Sequence, residues 1–182
     1  MTAHPHFLWK DLFKKDSSSQ KSVAKSLKEN VLFCTLNAQE LKYLSEVVYE
    51  RTYQAGEPVF QQNDRGLGMY LITKGQVSIK TKTHSSEVLV TTLTEGSLFG
   101  EIALVDPENV RTASAVAVEL SVVIGFFKPD LTEILQRKPS MGVKILFQLS
   151  IILGRRLQES TEKITQFSQA GNLNGTLHEK TS

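Results

Sequence analysis

Glu101 and Arg111, ten residues apart around a proline-containing turn, are the most informative pair in the chain. Gly100 precedes Glu101-Ile-Ala-Leu-Val105, long enough for one helical turn before Asp106-Pro107 stops it. A helical turn opening after Gly100 points backbone N–H groups and a partial positive charge into the space ahead, which suits a phosphate. Arg111, returning from a short loop, brings a guanidinium fork to the same space. A carboxylate repels phosphate, so Glu101 makes sense there if it accepts hydrogen bonds from hydroxyls, as on a ribose. The plainer reading is a surface Glu–Arg ion pair, worth only about 0–1 kcal/mol.

Those residues need a scaffold, and the flanking patterns describe one. Val23, Leu27 and Val31, with Lys25 and Lys28 between them, have helical spacing. Asn37-Ala-Gln-Glu40 has the form of a capping box opening a second helix through Leu41, Leu44 and Val47–Val48. Residues 49–127 then change regime. Tyr49–Tyr53, Pro58–Phe60, Met69–Thr73, Gln76–Lys82, Val88–Leu93, 112–118 and 120–127 are candidate strands, separated by Gly-, Asn-, Asp- and Ser-containing turns. Short strands so closely spaced predict an antiparallel β-roll or jelly roll. The fold class is α+β: helices over 23–48, a roll over 49–127, then a short and a long helix over 129–168. Residues 1–20 read as an arm and polar linker, and 169–182 as a polar tail.

In the long helix, Val143, Leu146, Ser150, Leu153, Leu157, Ser160, Ile164 and Phe167 alternate spacings of 3 and 4, a coiled-coil seam. Ile145, Leu149 and Ile152 make a second apolar stripe in the first half only. The helix is therefore expected to pack on the roll and then run along a twin, giving a parallel homodimer through 143–167. A long helix packed within a monomer is the alternative. Gly154 costs such a helix about 1 kcal/mol relative to Ala and permits close approach.

Composition removes several function classes. With 182 residues, 40% hydrophobic and 22% charged, the chain can build a core, and its net charge of +2 gives no nucleic-acid surface. The lone Cys34 forms no intrachain disulfide, and no 18-residue apolar segment exists, so the expected location is cytoplasmic. The roll holds only His84, in a turn, which argues against a jelly-roll metal centre and against Ser-His-Asp or Cys-His catalysis. No metal and no enzymatic activity are expected. The His4/His6 pair lacks further ligands nearby. Phe7, Leu8, Trp9 and Leu12 with Lys10, Lys14 and Lys15 form either a docking arm or a weak membrane-surface helix over 7–15, and the docking arm is preferred.

The run FGEIAL, six intervening residues, then RTA resembles the phosphate-binding cassette of the cyclic nucleotide-binding domain family. LFCTLNAQELKYL likewise resembles the helical entry to that family's β-roll. The resemblance implies that Glu101 holds a ribose hydroxyl, Arg111 the cyclic phosphate, and the amides near Gly100, Ile102 and Ala103 complete the cradle, with Thr112 and Ala113 adjoining. Arg155-Arg-Leu-Gln-Glu-Ser-Thr-Glu-Lys163 is similar to the corresponding helix of bacterial cyclic-AMP receptor proteins, which assigns Ser160 and Thr161 to the adenine, one from each subunit. Thr112 is found in cyclic-GMP binders too, so cAMP is expected ahead of cGMP. The family's helix-turn-helix domain has no counterpart after Ser168, and no DNA contact by this chain is expected. The implied role is a stand-alone sensor signalling through its long helix to an effector protein. The alternative is a nucleotide-independent dimeric scaffold.

Overall fold

The computed structural model describes residues 17–83, 86–108 and 110–178. The proposed arm over 7–15, the His4/His6 pair and His84 lie outside the described residues, as does the side chain of Phe167. Two helices, α1 (Ser17–Glu29) and α2 (Ala38–Val47), lead into eight strands. These are β1 (Tyr49–Tyr53), β2 (Pro58–Phe60), β3 (Gly68–Lys74), β4 (Val77–Lys82), β5 (Glu87–Leu93), β6 (Leu98–Phe99), β7 (Ser114–Ala117) and β8 (Ser121–Phe127). A 3-10 turn at Glu101–Leu104 separates β6 from β7, and α3 (Lys128–Arg137) and α4 (Pro139–His178) follow the roll.

The strands form two four-stranded sheets, ordered β1-β8-β3-β6 and β2-β7-β4-β5, with every pairing antiparallel. Alternation along β3 and β8 divides the core in two. Met69, Leu71, Ile124 and Phe126 face outward onto the helices, against Leu27, Leu44, Ile134, Ile145 and Leu149. Ile72 and Val123 face inward, between the sheets, with Tyr53, Val77, Phe99, Ala115 and Ala117. Phe126 meets the Phe33 ring edge-on at 5.9 Å. Its truncation to Ala would cost about 3–5 kcal/mol through lost burial and the cavity left behind.

The capping box forms as read: Asn37 Oδ1 accepts from the Glu40 amide at 2.9 Å, and Glu40 Oε2 accepts from the Asn37 amide at 2.8 Å. Glu40 also takes the Lys144 ammonium at 2.9 Å, which ties the base of α4 to α2. Ile145, Leu149 and Ile152 are buried against the roll, whereas Val143, Leu157 and Ile164 of the proposed seam are exposed, as is Phe147 beside them.

Several boundaries differ from the sequence expectation. Ser17–Gln20 are not linker but the start of α1. The strand expected over 112–118 is only Ser114–Ala117, because Thr112 and Ala113 bend, and the short β6 falls where Gly96 and Gly100 bracket a strand end. Helix α4 continues past 168 to His178. Once a helix is nucleated, each further residue fixes few torsions per bond gained, so weak formers such as Asn and Gly can be carried along.

The β5 edge of the second sheet is poorly covered. Val77 and Ile79 point between the sheets, and their cross-strand partners Leu93 and Thr91 share that side, yet Thr91 is exposed and Leu93 only half-buried. β5 is an edge strand exposed along nearly its whole length.

Candidate functional site

Gly100 joins β6 to the 3-10 turn with φ at 71°, a left-handed conformation that an L side chain adopts only at a cost. A side chain would fail there for a second reason. A Cβ at Gly100 would lie 2.5 Å from Arg111 Nη1. The expected helical turn is thus a single 3-10 turn, with Ala103 N donating to Gly100 O at 3.2 Å.

Arg111 lies against that turn, only 5% exposed. Its backbone is fixed to the β2–β3 loop: Arg111 N donates to Asp64 O at 2.9 Å, and Asn63 N donates to Arg111 O at 2.8 Å. Its guanidinium stacks 4.0 Å from the centre of the Phe60 ring and 5.5 Å from that of Tyr70. Nη1 donates to Gly100 O at 3.0 Å and Nη2 to Gly68 O at 2.7 Å. The fork is therefore partly engaged by main-chain carbonyls, which the sequence did not anticipate. Burial lowers the Arg111 pKa and the nearby Tyr70 and Glu101 oppose that shift; a guanidinium remains a cation regardless.

Glu101 is buried more deeply, at 2% exposure. Oε1 accepts from Arg156 Nη1 of α4 at 2.5 Å, and Arg156 Nη2 donates to Leu98 O at 2.7 Å. Glu101 Oε2 and Arg111 Nε, both buried, have no hydrogen-bond partner among the described residues. A buried polar atom left unpaired costs about 1–3 kcal/mol, more if charged. One acceptor and one donor thus stand unsatisfied, the complement of a ligand that carries a hydroxyl and an anionic oxygen.

Of the residues singled out in the sequence, the structure gathers Gly100, Glu101, Ala103 and Arg111. Ile102 is half exposed, Thr112 is exposed and Ala113 is half-buried at the mouth of β7. Ser160 and Thr161 are exposed on α4, and the Thr161 hydroxyl donates to Leu157 O at 2.9 Å. Ser160 follows Arg156 by one helical turn and so shares its face, whereas Thr161 faces farther round, toward the exposed Leu157 and Ile164. Arg156, Phe60 and Tyr70 were not singled out. Arg156 was legible, because it extends the inward spacing of Ile145, Leu149 and Ile152 by four residues. Phe60 and Tyr70 carried no signal beyond strand alternation.

Residues 50–138 match the family model described as "Cyclic nucleotide-binding domain". Over 149 residues the chain is 33% identical to the cyclic AMP receptor protein of Thermus thermophilus, spanning 80% of this chain and 67% of that one. The chain belongs to the cyclic nucleotide-binding domain family. Among solved structures, this domain is similar to the Thermus thermophilus catabolite activator protein, with a TM-score of 0.68 and 32% identity over 76% of this chain and 63% of that one. It is also similar to the N-terminal domain of a transcriptional regulator from Streptomyces coelicolor A3(2), with a TM-score of 0.64 and 26% identity over 76% of this chain and 94% of that one. The domain thus spans about two thirds of the length of the Thermus proteins. Among the described residues no helix is long and apolar enough to cross a membrane, and no cluster of three or more His, Cys, Asp or Glu could hold a metal ion.

Proposed function

We propose that this cyclic nucleotide-binding domain is a sensor that takes cAMP in preference to cGMP and passes its occupancy along α4 to a partner. The observation that carries this reading is the Glu101–Arg156 contact, which ties the cassette to the long helix through a carboxylate whose second oxygen is unpartnered. In this reading a ribose hydroxyl donates to Glu101 Oε2 while Arg156 keeps Oε1. The cyclic phosphate takes the unengaged N–H groups of Arg111 beside Gly100, Ile102 and Ala103, with Thr112 and Ala113 at its edge. The base is met by Ser160 and, from a second copy, Thr161. The exposed stripe of Val143, Phe147, Leu157 and Ile164 supports a homodimer through α4. The ligand drives the change only through its different affinities for two positions of that helix. The role is binding and relay, without catalysis.

The engagement of Arg111 by Gly68 O and Gly100 O favours a second reading, a scaffold that no longer takes nucleotide. Titration calorimetry separates the two. Saturable cAMP binding, tighter than that of cGMP and weakened at least about 30-fold in Arg111→Lys, is expected. No heat from either nucleotide would leave the scaffold; equal affinities would remove the preference for cAMP.

A further inference from the structure

Gly66, in the β2–β3 loop, is buried, and its backbone lies outside the left-handed region, so its torsions alone would admit an alanine. The space around it would not. A Cβ at Gly66 would lie 2.9 Å from Arg111 Nε, 3.0 Å from Arg111 Cζ and 2.9 Å from Ala103 Cβ. Resting on the nucleotide reading above, we propose that Gly66 is a positioning residue for the cyclic phosphate: its bare Cα sets where the Arg111 guanidinium lies in the cassette.

The loop cannot step back to make room for a side chain. Arg111 N donates to Asp64 O at 2.9 Å, Asn63 N donates to Arg111 O at 2.8 Å, and Arg65 bridges to Val110. On the other side, Leu67 O accepts from the Lys128 amide at 2.8 Å. Main chain on both sides of Gly66 is thus tied to the segment that carries Arg111 and to the start of α3. Ala103 Cβ belongs to the 3-10 turn, which Leu104 anchors in the core beneath the helices. The remaining contacts belong to a long side chain that can turn, so the guanidinium is the group that yields. Its Nε is buried with no hydrogen-bond partner among the described residues, while Nη1 and Nη2 hold Gly100 O and Gly68 O at 3.0 and 2.7 Å. A guanidinium pushed aside loses that grip, and paired N–H bonds to phosphate oxygens tolerate little displacement. Gly68 differs in kind. A Cβ there would press on the Phe126 main-chain oxygen and on Phe127 Cα, backbone atoms of β8, so that glycine serves the sheet. Gly66 instead joins Gly100 in clearing space for one side chain: Gly100 clears Nη1, and Gly66 clears Nε and Cζ.

The test is a double-mutant cycle on the full chain: wild type, Gly66→Ala, Arg111→Ala and the double variant. It is read first without nucleotide, by scanning calorimetry and by NMR of the arginine Nε–H signals. The signal absent from Arg111→Ala is that of Arg111, and it should move in Gly66→Ala. The fall in Tm caused by Gly66→Ala should shrink by at least about half in the Arg111→Ala background, where the contact is vacated; a purely structural cost would be the same in both. Titration calorimetry should then show cAMP binding at least about tenfold weaker in Gly66→Ala than in wild type. If Gly66→Ala folds only alongside Arg111→Ala, that rescue supports the proposal. An unmoved Arg111 signal, equal falls in Tm, unfolding in both backgrounds or an unchanged cAMP affinity overturns it. A wild type that takes no nucleotide refutes the sensor reading, while the nucleotide-free cycle still decides whether Gly66 places Arg111.

Discussion

Replacing Arg156 by Met keeps an apolar stem but removes the guanidinium that joins α4 to the cassette. Two hydrogen bonds disappear, to Glu101 Oε1 at 2.5 Å and to Leu98 O at 2.7 Å. Bonds to charged groups are worth about 1.5–3 kcal/mol when well buried. The Arg156 side chain is 42% exposed, so screening brings each nearer about 1 kcal/mol. Glu101 is then left buried with neither oxygen partnered, which keeps the total near 2 kcal/mol rather than lower. For a chain of this size that is a fall in Tm of about 4–8 °C, read by scanning calorimetry at pH 7. Arg156→Lys, able to reach one partner but not both, should lose about half as much. Saturating cAMP should narrow the gap between wild type and Arg156→Met, because ribose hydroxyls would partner the bare carboxylate. A Tm for Arg156→Met within about 1 °C of wild type would refute the stability argument. A gap that cAMP leaves untouched would remove Glu101 from the ligand.

Gly100→Ala and Gly96→Ala share the same backbone penalty of about 1–2 kcal/mol, since both residues have positive φ, 71° and 83°. A Cβ at Gly96 meets open space while one at Gly100 displaces Arg111, so calorimetric titration should show cAMP affinity lost only in Gly100→Ala. Burial pushes the Glu40 carboxyl up, but hydrogen bonds from Lys144 and the Asn37 amide outweigh it and leave the pKa below its ordinary 4.5. A depressed folded pKa stabilises the fold above the unfolded value and loses that stabilisation as pH falls through the folded one. Acid unfolding of Lys144→Met, followed by circular dichroism, should therefore begin at higher pH than that of wild type; coincident curves would contradict the assignment. Leu157→Glu places a charge in the exposed apolar stripe without touching the core. It should shift sedimentation toward monomer, and an unchanged sedimentation profile would remove α4 as the dimer contact.

The elements that could be read from the sequence are those whose pattern is local. The Asn37–Glu40 box, the β1 and β2 limits and the inward stripe of α4 each follow from spacing alone, and the structure reproduces them. Composition misled at Ser17–Gln20 and beyond Ser168, where helices continue through residues of weak propensity. At the site, Gly100, Glu101 and Arg111 were legible because the turn between them is short. The carbonyl grip of Gly68 on Arg111 was not, since it spans 43 positions and uses an oxygen that every residue possesses. The stacking of Phe60 was hidden for the same reason: in β2 it looks like any strand-core ring.

Lys138 is the single break between α3 and α4, with φ −137° and ψ 60°. Measured from there at 1.5 Å per residue, Arg156 stands about 27 Å along α4 and His178 about 60 Å. If the helix swings about that joint as a stiff rod, a turn of about 5° carries Arg156 through about 2 Å, enough to part it from Glu101, and the far end through about 5 Å. The pocket would then grip the shaft nearer the pivot than the tip, so a displacement the size of one bond at the cassette is roughly doubled at the other end.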